Sequence, residues 1–150
     1  AQAVRRSGGH TVGVIPQALV DMEVADHDSD ELLVTPDMRT RKAEMDRRSD
    51  AFIVLPGGIG TLEELTEIWT ARTLGMHAKP IVVLDPWGDY EHLHAFIGHL
   101  VERGFVRANA AAHIDWVDSV AGAMEALARA LRTSEGPDSG DAAEALESLG

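Results

Sequence analysis

The chain has 150 residues, 45% of them apolar, and a net charge of −12 from 25 acids against 13 bases. That length suits one compact domain with a real core, and the acidic balance argues against non-specific binding to nucleic acid or to an anionic membrane surface, both of which need basic groups. Cysteine is absent, which rules out a disulfide framework and a thiolate metal site; no apolar run approaches the ~20 residues of a membrane span, and the cytoplasm is the expected location.

In chain order, "AQAVRRSGGH" reads as the end of a helix stopped by Gly8-Gly9. The apolar runs "TVGVI" (11–15), "ELLVT" (31–35), "AFIVL" (51–55), "PIVVLD" (80–85) and "HIDWV" (113–117) read as strands. The middle ones are nearly continuous, as in strands covered on both faces. Helical stretches fall between and after them at about 37–48, 61–75, 89–103 and 118–132. Strand and helix alternating at this pitch predict an α/β fold, a Rossmann-like, doubly wound parallel sheet over residues 1–132. The acidic stretch 21–37, with seven acids and no base, reads as a solvated connection. From Thr133 to Gly150 the composition turns acidic and small, the signature of a disordered tail.

Two stretches carry chemistry. "VLPGGIGTLEELTEIW" (54–69) passes from a strand, through three glycines in four positions, into a helix. A glycine turn at the carboxyl end of a strand, feeding a helix, offers backbone N–H groups and a positive helix end to a phosphate. The alternative is a tight turn with no ligand. Thr61-x-x-Glu64 reads as a capping box, which puts Glu63 and Glu64 in the first helical turn. Leu62, Leu65 and Trp69 share one face of that helix and Glu63, Glu64, Glu67 and Thr70 the other. That acidic face is either solvated or the wall of a pocket. Gly-Lys-Ser/Thr is missing, so there is no Walker loop, and the dinucleotide fingerprint fails because Glu63 stands where its third glycine belongs. Asp85, at the end of the next strand, could still imitate that fingerprint's ribose-binding acid. The second stretch is "DMRTRKAEMDRRS" (37–49). Met38 and Met45 share a face, and Arg41 falls on the same stripe with Lys42 beside it. A guanidinium there needs a partner or a snorkelling route; its fork suits phosphate or carboxylate, and the alternative to a ligand is an ion pair with a core-edge carboxylate such as Glu64.

"PGGIGTLEE" (56–64) and "MRTRKAEM" (38–45), at this distance from one another, resemble the paired motifs of the LOG ("Lonely Guy") family. "GVIPQAL" (13–19) and "LGMHAKPIVVL" (74–84) are similar to the same family, so the likeness runs from about Ala3 to Leu131. The resemblance implies a cytokinin riboside 5′-monophosphate phosphoribohydrolase, which cuts a nucleoside monophosphate, N6-modified or plain AMP, into free base and ribose 5-phosphate. It implies Arg41 and Glu64 as the catalytic pair. Substrate contacts would come from Glu23, Arg41, Lys42, Gly58, Ile59, Gly60, Thr61, Leu62, Glu63, Glu64 and Thr70. It implies a homodimer and no cofactor; Trp69, Met76 and Trp87, more large apolar groups than one small domain easily hides, agree with a dimer. It also implies two strands and a glycine-rich phosphate block ahead of Ala1, so the chain is expected to be a piece of a longer protein. "EVAD" (23–26) departs from the family's Glu-Val-x-His tract. The older "lysine decarboxylase" label gains no support, because no lysine has a recognisable pyridoxal-phosphate context. The competing reading is a carrier of a nucleotide or of molybdenum cofactor that binds without turnover. His92, His94 and His99 lie at spacings that do not converge on one metal ion.

Overall fold

The computed structural model describes residues 1–20, 22 and 26–134. The strands pair in parallel, as expected of an α/β chain, in two sheets. The chain divides into two compact units, Ala1–Ser49 and Asp50–Gly150. The tail predicted from Thr133 lies outside the described residues from 135 on.

In the first unit, α1 (Gln2–Arg6) ends where the glycine pair predicts, and the N–H groups of Gly8 and Gly9 bond back to the carbonyls of Arg5 and Val4. β1 (Val12–Pro16) pairs with β2 (Glu31–Thr35), from Val12 opposite Glu31 to Pro16 opposite Thr35. The connection between them starts with a single turn, α2 (Gln17–Val20). α3 (Met38–Arg48) follows, capped by Asp37, whose carboxylate accepts the Thr40 N–H at 2.7 Å.

Few apolar groups are available to tie this unit down; its buried residues among those described are Thr11, Ile15, Pro16 and Thr35. Polar clasps take their place. Asp30 accepts both the N–H of Thr11 (2.8 Å) and its hydroxyl (2.7 Å). Arg5 reaches Asp26 at 3.2 Å. Arg48 forks onto Glu31 at 2.9 and 2.8 Å and also meets Glu44 at 2.7 Å. The stretch read as a solvated connection is therefore more than that. Asp26, Asp30, Glu31 and Asp37 each hold a strand or helix end in place.

In the second unit, β3 (Phe52–Val54), β4 (Ile81–Leu84) and β5 (Ile114–Val117) lie in that order in one parallel sheet. Successive right-handed crossovers in one direction put their helices on the same face. α4 (Ile59–Thr73) and α5 (Glu91–Glu102) accordingly share a core with Val54, Ile81, Val83 and Ile114, through Leu62, Leu65, Ile68, Trp69 and Leu93. α7 (Val120–Ser134) packs Ala123 and Ala126 onto Val82, on the other face. This explains the uninterrupted apolar run of β4. Alternate residues point to opposite faces, both faces are covered, and Ile81, Val82 and Val83 are all 0% exposed. The one-turn helix α6 (Ala108–Ala111) receives the Trp69 indole N–H on the Ala110 carbonyl at 2.7 Å.

Candidate active site

Ligands of open parallel sheets sit outside the carboxyl ends of the strands, and the predicted site residues cluster at two such ends, one on each unit. On the first unit, α3 starts just after β2 and carries Arg41 and Lys42, both half-buried. Arg41 donates its Nε–H to the Val14 carbonyl of β1 at 3.0 Å. That bond orients the guanidinium plane. The expected apolar stripe is only partly present. Met45 is half-buried but Met38 is exposed, so a backbone carbonyl rather than a methionine pair positions Arg41. Glu23 lies outside the described residues.

On the second unit the chain leaves β3 through Leu55, Pro56 and Gly57. α4 begins at Ile59, with Gly58 as its extended N-cap, two residues before the expected start. This overturns the capping box. The Thr61 N–H bonds to the Gly58 carbonyl at 3.0 Å, the Leu62 N–H to the same oxygen at 3.2 Å, and no side chain caps the helix. Thr61 is already helical, so it cannot adopt the extended backbone that a capping residue needs. Its side chain lies against Gly57 instead, where any Cβ would overlap the Thr61 hydroxyl.

The shift also moves the acids. The first turn of α4 contains none; Glu63 and Glu64 stand in the second, beyond the amides that an anion would use. Glu63, Glu67 and Thr70 are exposed and Glu64 is half-buried, while Leu62, Leu65, Ile68 and Trp69 turn to the core. The expected division of the helix into an apolar and an acidic face is present.

Gly58 and Gly60 are not needed for the turn. Neither has positive φ, and a Cβ on either would meet nothing within 4 Å. Together with Ile59, 88% exposed between them, they leave a bare backbone edge at the positive end of a 15-residue helix. The first N–H groups of a helix have no partner within it, and a bare edge allows a phosphate to approach them closely.

Asp85 does not imitate a ribose-binding acid. Its two oxygens accept the backbone N–H groups of Asp89 and Tyr90, each at 2.8 Å, at the start of α5. Sequence reasoning missed Tyr90, the chain's single tyrosine. Its hydroxyl accepts the Gly57 N–H at 2.8 Å and donates to the Leu55 carbonyl at 3.1 Å, so it grips the segment that leads into the glycine turn. Its place beside the Gly88 turn is the only local signal, and nothing in that pattern points 33 residues back. Asp85 and Tyr90 also line an open cleft of about 510 Å³ at the ends of β4 and β5, with Trp116 and Asp118. His94 stacks on Trp116 there, ring centroids 4.6 Å apart. Among the described residues, no group of three His, Cys, Asp or Glu side chains is placed to hold a metal ion, and no helix is long and apolar enough to cross a membrane.

A family model described as "Possible lysine decarboxylase" matches residues 1–127. Over 128 residues the chain is 53% identical to a cytokinin riboside 5′-monophosphate phosphoribohydrolase from Mycobacterium tuberculosis and 51% identical to one from Mycobacterium marinum; each match covers 85% of this chain and 68% of the relative. Over 107 residues it is 47% identical to the cytokinin riboside 5′-monophosphate phosphoribohydrolase LOG5 of Arabidopsis thaliana, covering 71% of this chain and 47% of the relative.

Proposed function

The chain belongs to the LOG family, whose model carries the older decarboxylase description, and on that premise we propose that it hydrolyses the N-glycosidic bond of a nucleoside 5′-monophosphate, a cytokinin riboside monophosphate or AMP, to free base and ribose 5-phosphate. The observation that carries this reading is the bare backbone edge at Gly58–Gly60, with a half-buried carboxylate, Glu64, one turn further along the same helix.

The chemistry follows from where charge develops. As the bond from C1′ to the base nitrogen breaks, its electron pair leaves with the base and the ribose ring becomes positive. The base takes up a proton. Water adds to C1′ and gives up a proton. In this mechanism the amides of Ile59 and Gly60 hold the phosphate, and Glu64 stabilises the cationic ring and takes the proton from water. Arg41 and Lys42 add positive charge for the phosphate or the departing base, and Glu63, Thr61, Leu62 and Thr70 complete the contacts. Glu64 faces the sugar without opposing the phosphate, because it lies beyond the first turn.

The test is incubation of the protein with AMP and with isopentenyladenosine monophosphate, with free base and ribose 5-phosphate followed by chromatography. Release of base supports the hydrolase. Tight binding with no base released would transfer the protein to the carriers. The same reading takes the working form as a homodimer. Met76 and Trp87 are exposed and suit an interface, whereas Trp69 is half-buried with its indole bonded to Ala110 and does not. A monomer mass by light scattering at micromolar concentration would overturn the dimer.

A further inference from the structure

We propose that Tyr90 is a positioning residue for the phosphate-binding edge, acting through its hydroxyl on the backbone of Leu55–Gly57; this inference rests on the nucleotide-hydrolase reading. The sheet ladder stops at Val54, opposite Val83. Beyond it the chain leaves the sheet, and its polar backbone groups need other partners. The Tyr90 hydroxyl supplies them, accepting from Gly57 N–H and donating to the Leu55 carbonyl, with the Gly57 carbonyl at 3.4 Å on the same side.

The hydroxyl is well placed to hold that segment rigidly. Tyr90 is 5% exposed and its ring belongs to the core cluster of Leu65, Ile81, Val83 and Ile114. Its hydroxyl bonds are partly buried at the edge of that core, and partial shielding from water strengthens a hydrogen bond. Tyr90 is itself fixed from behind. Gly88, at φ 77°, turns the chain so that both oxygens of Asp85 accept the N–H groups of Asp89 and Tyr90.

In front, the grip passes to the helix start. The Thr61 side chain sits against Gly57, and the Gly58 carbonyl takes the N–H groups of Thr61 and Leu62. Moving Gly57 therefore moves the N–H groups of Ile59 and Gly60. The hydroxyl touches neither sugar nor base in this arrangement; it sets the place of the amides that meet the phosphate. A phosphate is held alike in the bound substrate and in the transition state. Loosening its cradle therefore raises KM with little change in kcat, whereas a loss of folded protein would lower apparent kcat and leave KM alone.

Tyr90→Phe removes the hydroxyl and keeps the ring. The measurements are melting, KM and kcat with AMP, ribose 5-phosphate affinity by calorimetry, and backbone amide exchange at Gly57–Leu62. The expected result is faster exchange at Gly57, Thr61 and Leu62, whose N–H groups are the bonded ones, and a KM raised about tenfold, kcat staying within about threefold. Ribose 5-phosphate affinity falls in parallel with the rise in KM. Unchanged exchange in this segment, or unchanged KM in a normally melting variant, overturns the proposal. If Tyr90→Phe does not fold, Asp85→Asn is measured in the same way; it keeps one acceptor oxygen and the tyrosine, and a smaller shift in the same direction is expected, its absence counting against the proposal. Wild-type protein that releases no base overturns the hydrolase reading instead, and exchange together with ribose 5-phosphate affinity still decides Tyr90.

Discussion

The two units reach stability by opposite means. Ala1–Ser49 has two paired strands and almost no buried apolar side chain among its described residues, and charged and polar clasps close it: Arg5 to Asp26, Thr11 to Asp30, Arg48 to Glu31 and Glu44. The second unit has three strands, the central one covered on both faces, with Leu65 and the Ile81–Val83 run closed off from water. The residues proposed above for substrate divide the same way. The cations Arg41 and Lys42 stand on the unit built from charge. The bare glycine edge and Glu64 stand on the unit built around an apolar core. A backbone edge proposed to hold a phosphate benefits from a close-packed support, because a packed interior has few alternative arrangements.

The sharpest test of that division is functional. Glu64→Gln should reduce turnover by about 10²–10⁴, the usual share of a positioned acid or base, while melting stays near wild type because glutamine keeps the size of the side chain and an oxygen that accepts hydrogen bonds. Turnover within a few-fold of wild type would move the catalytic carboxylate to Glu63 or Glu67. Arg41→Lys keeps charge but loses the fork and its Nε bond to Val14. It should lower kcat/KM by a smaller factor, and no change would remove Arg41 from the site.

Next in size is the core. Leu65→Ala should cost about 2–5 kcal/mol in urea unfolding, as for other fully buried leucines. A loss under about 1 kcal/mol would mean that the second unit is less closely packed than its burial indicates. Thr11→Val on the first unit removes the hydroxyl that donates to Asp30 and keeps the shape. A loss of about 1 kcal/mol is expected; no loss would show that the Thr11 N–H alone suffices.

The smallest effect is the response to acid. Hydrogen bonds from Arg47 first and Arg48 second hold the Glu44 carboxyl down to about 2. Asp26, Asp30 and Asp37 are lowered from their usual value as well, chiefly by Arg5, by the Thr11 hydroxyl and by the Thr40 N–H respectively. A lowered carboxylate contributes stability above its unfolded value and loses it as pH falls through the folded one. Amide protection in the first unit, corrected for the intrinsic pH dependence of exchange, should therefore fall between about pH 4.5 and pH 2, the window set by Glu44, before protection in β4. The groups are exposed, so the change is modest and should shrink in high salt. Simultaneous loosening of both units would erase the distinction.

The five apolar runs and the four long helices could be read from spacing and composition, because burial on both faces of a sheet or on one face of a helix imposes its period directly on the residues. The glycine turn was legible for the same local reason, and so was the split of α4 into an apolar and an acidic face. The helix start was not. Thr61-x-x-Glu64 satisfies a capping pattern, but Gly58 takes the extended N-cap backbone and Thr61 is drawn against Gly57, so α4 begins two residues early. Asp85 looked like a ligand acid until its two oxygens were found on the N–H groups of Asp89 and Tyr90. Tyr90 reaches Gly57 across 33 residues of chain only because β3 and β4 are neighbours in the sheet. Local pattern determined which elements form and what chemistry they bring. The partner of each polar group was decided by tertiary structure, because a hydrogen bond depends on distance in space, and residues far apart in the chain come within about 3 Å only once the sheet has assembled.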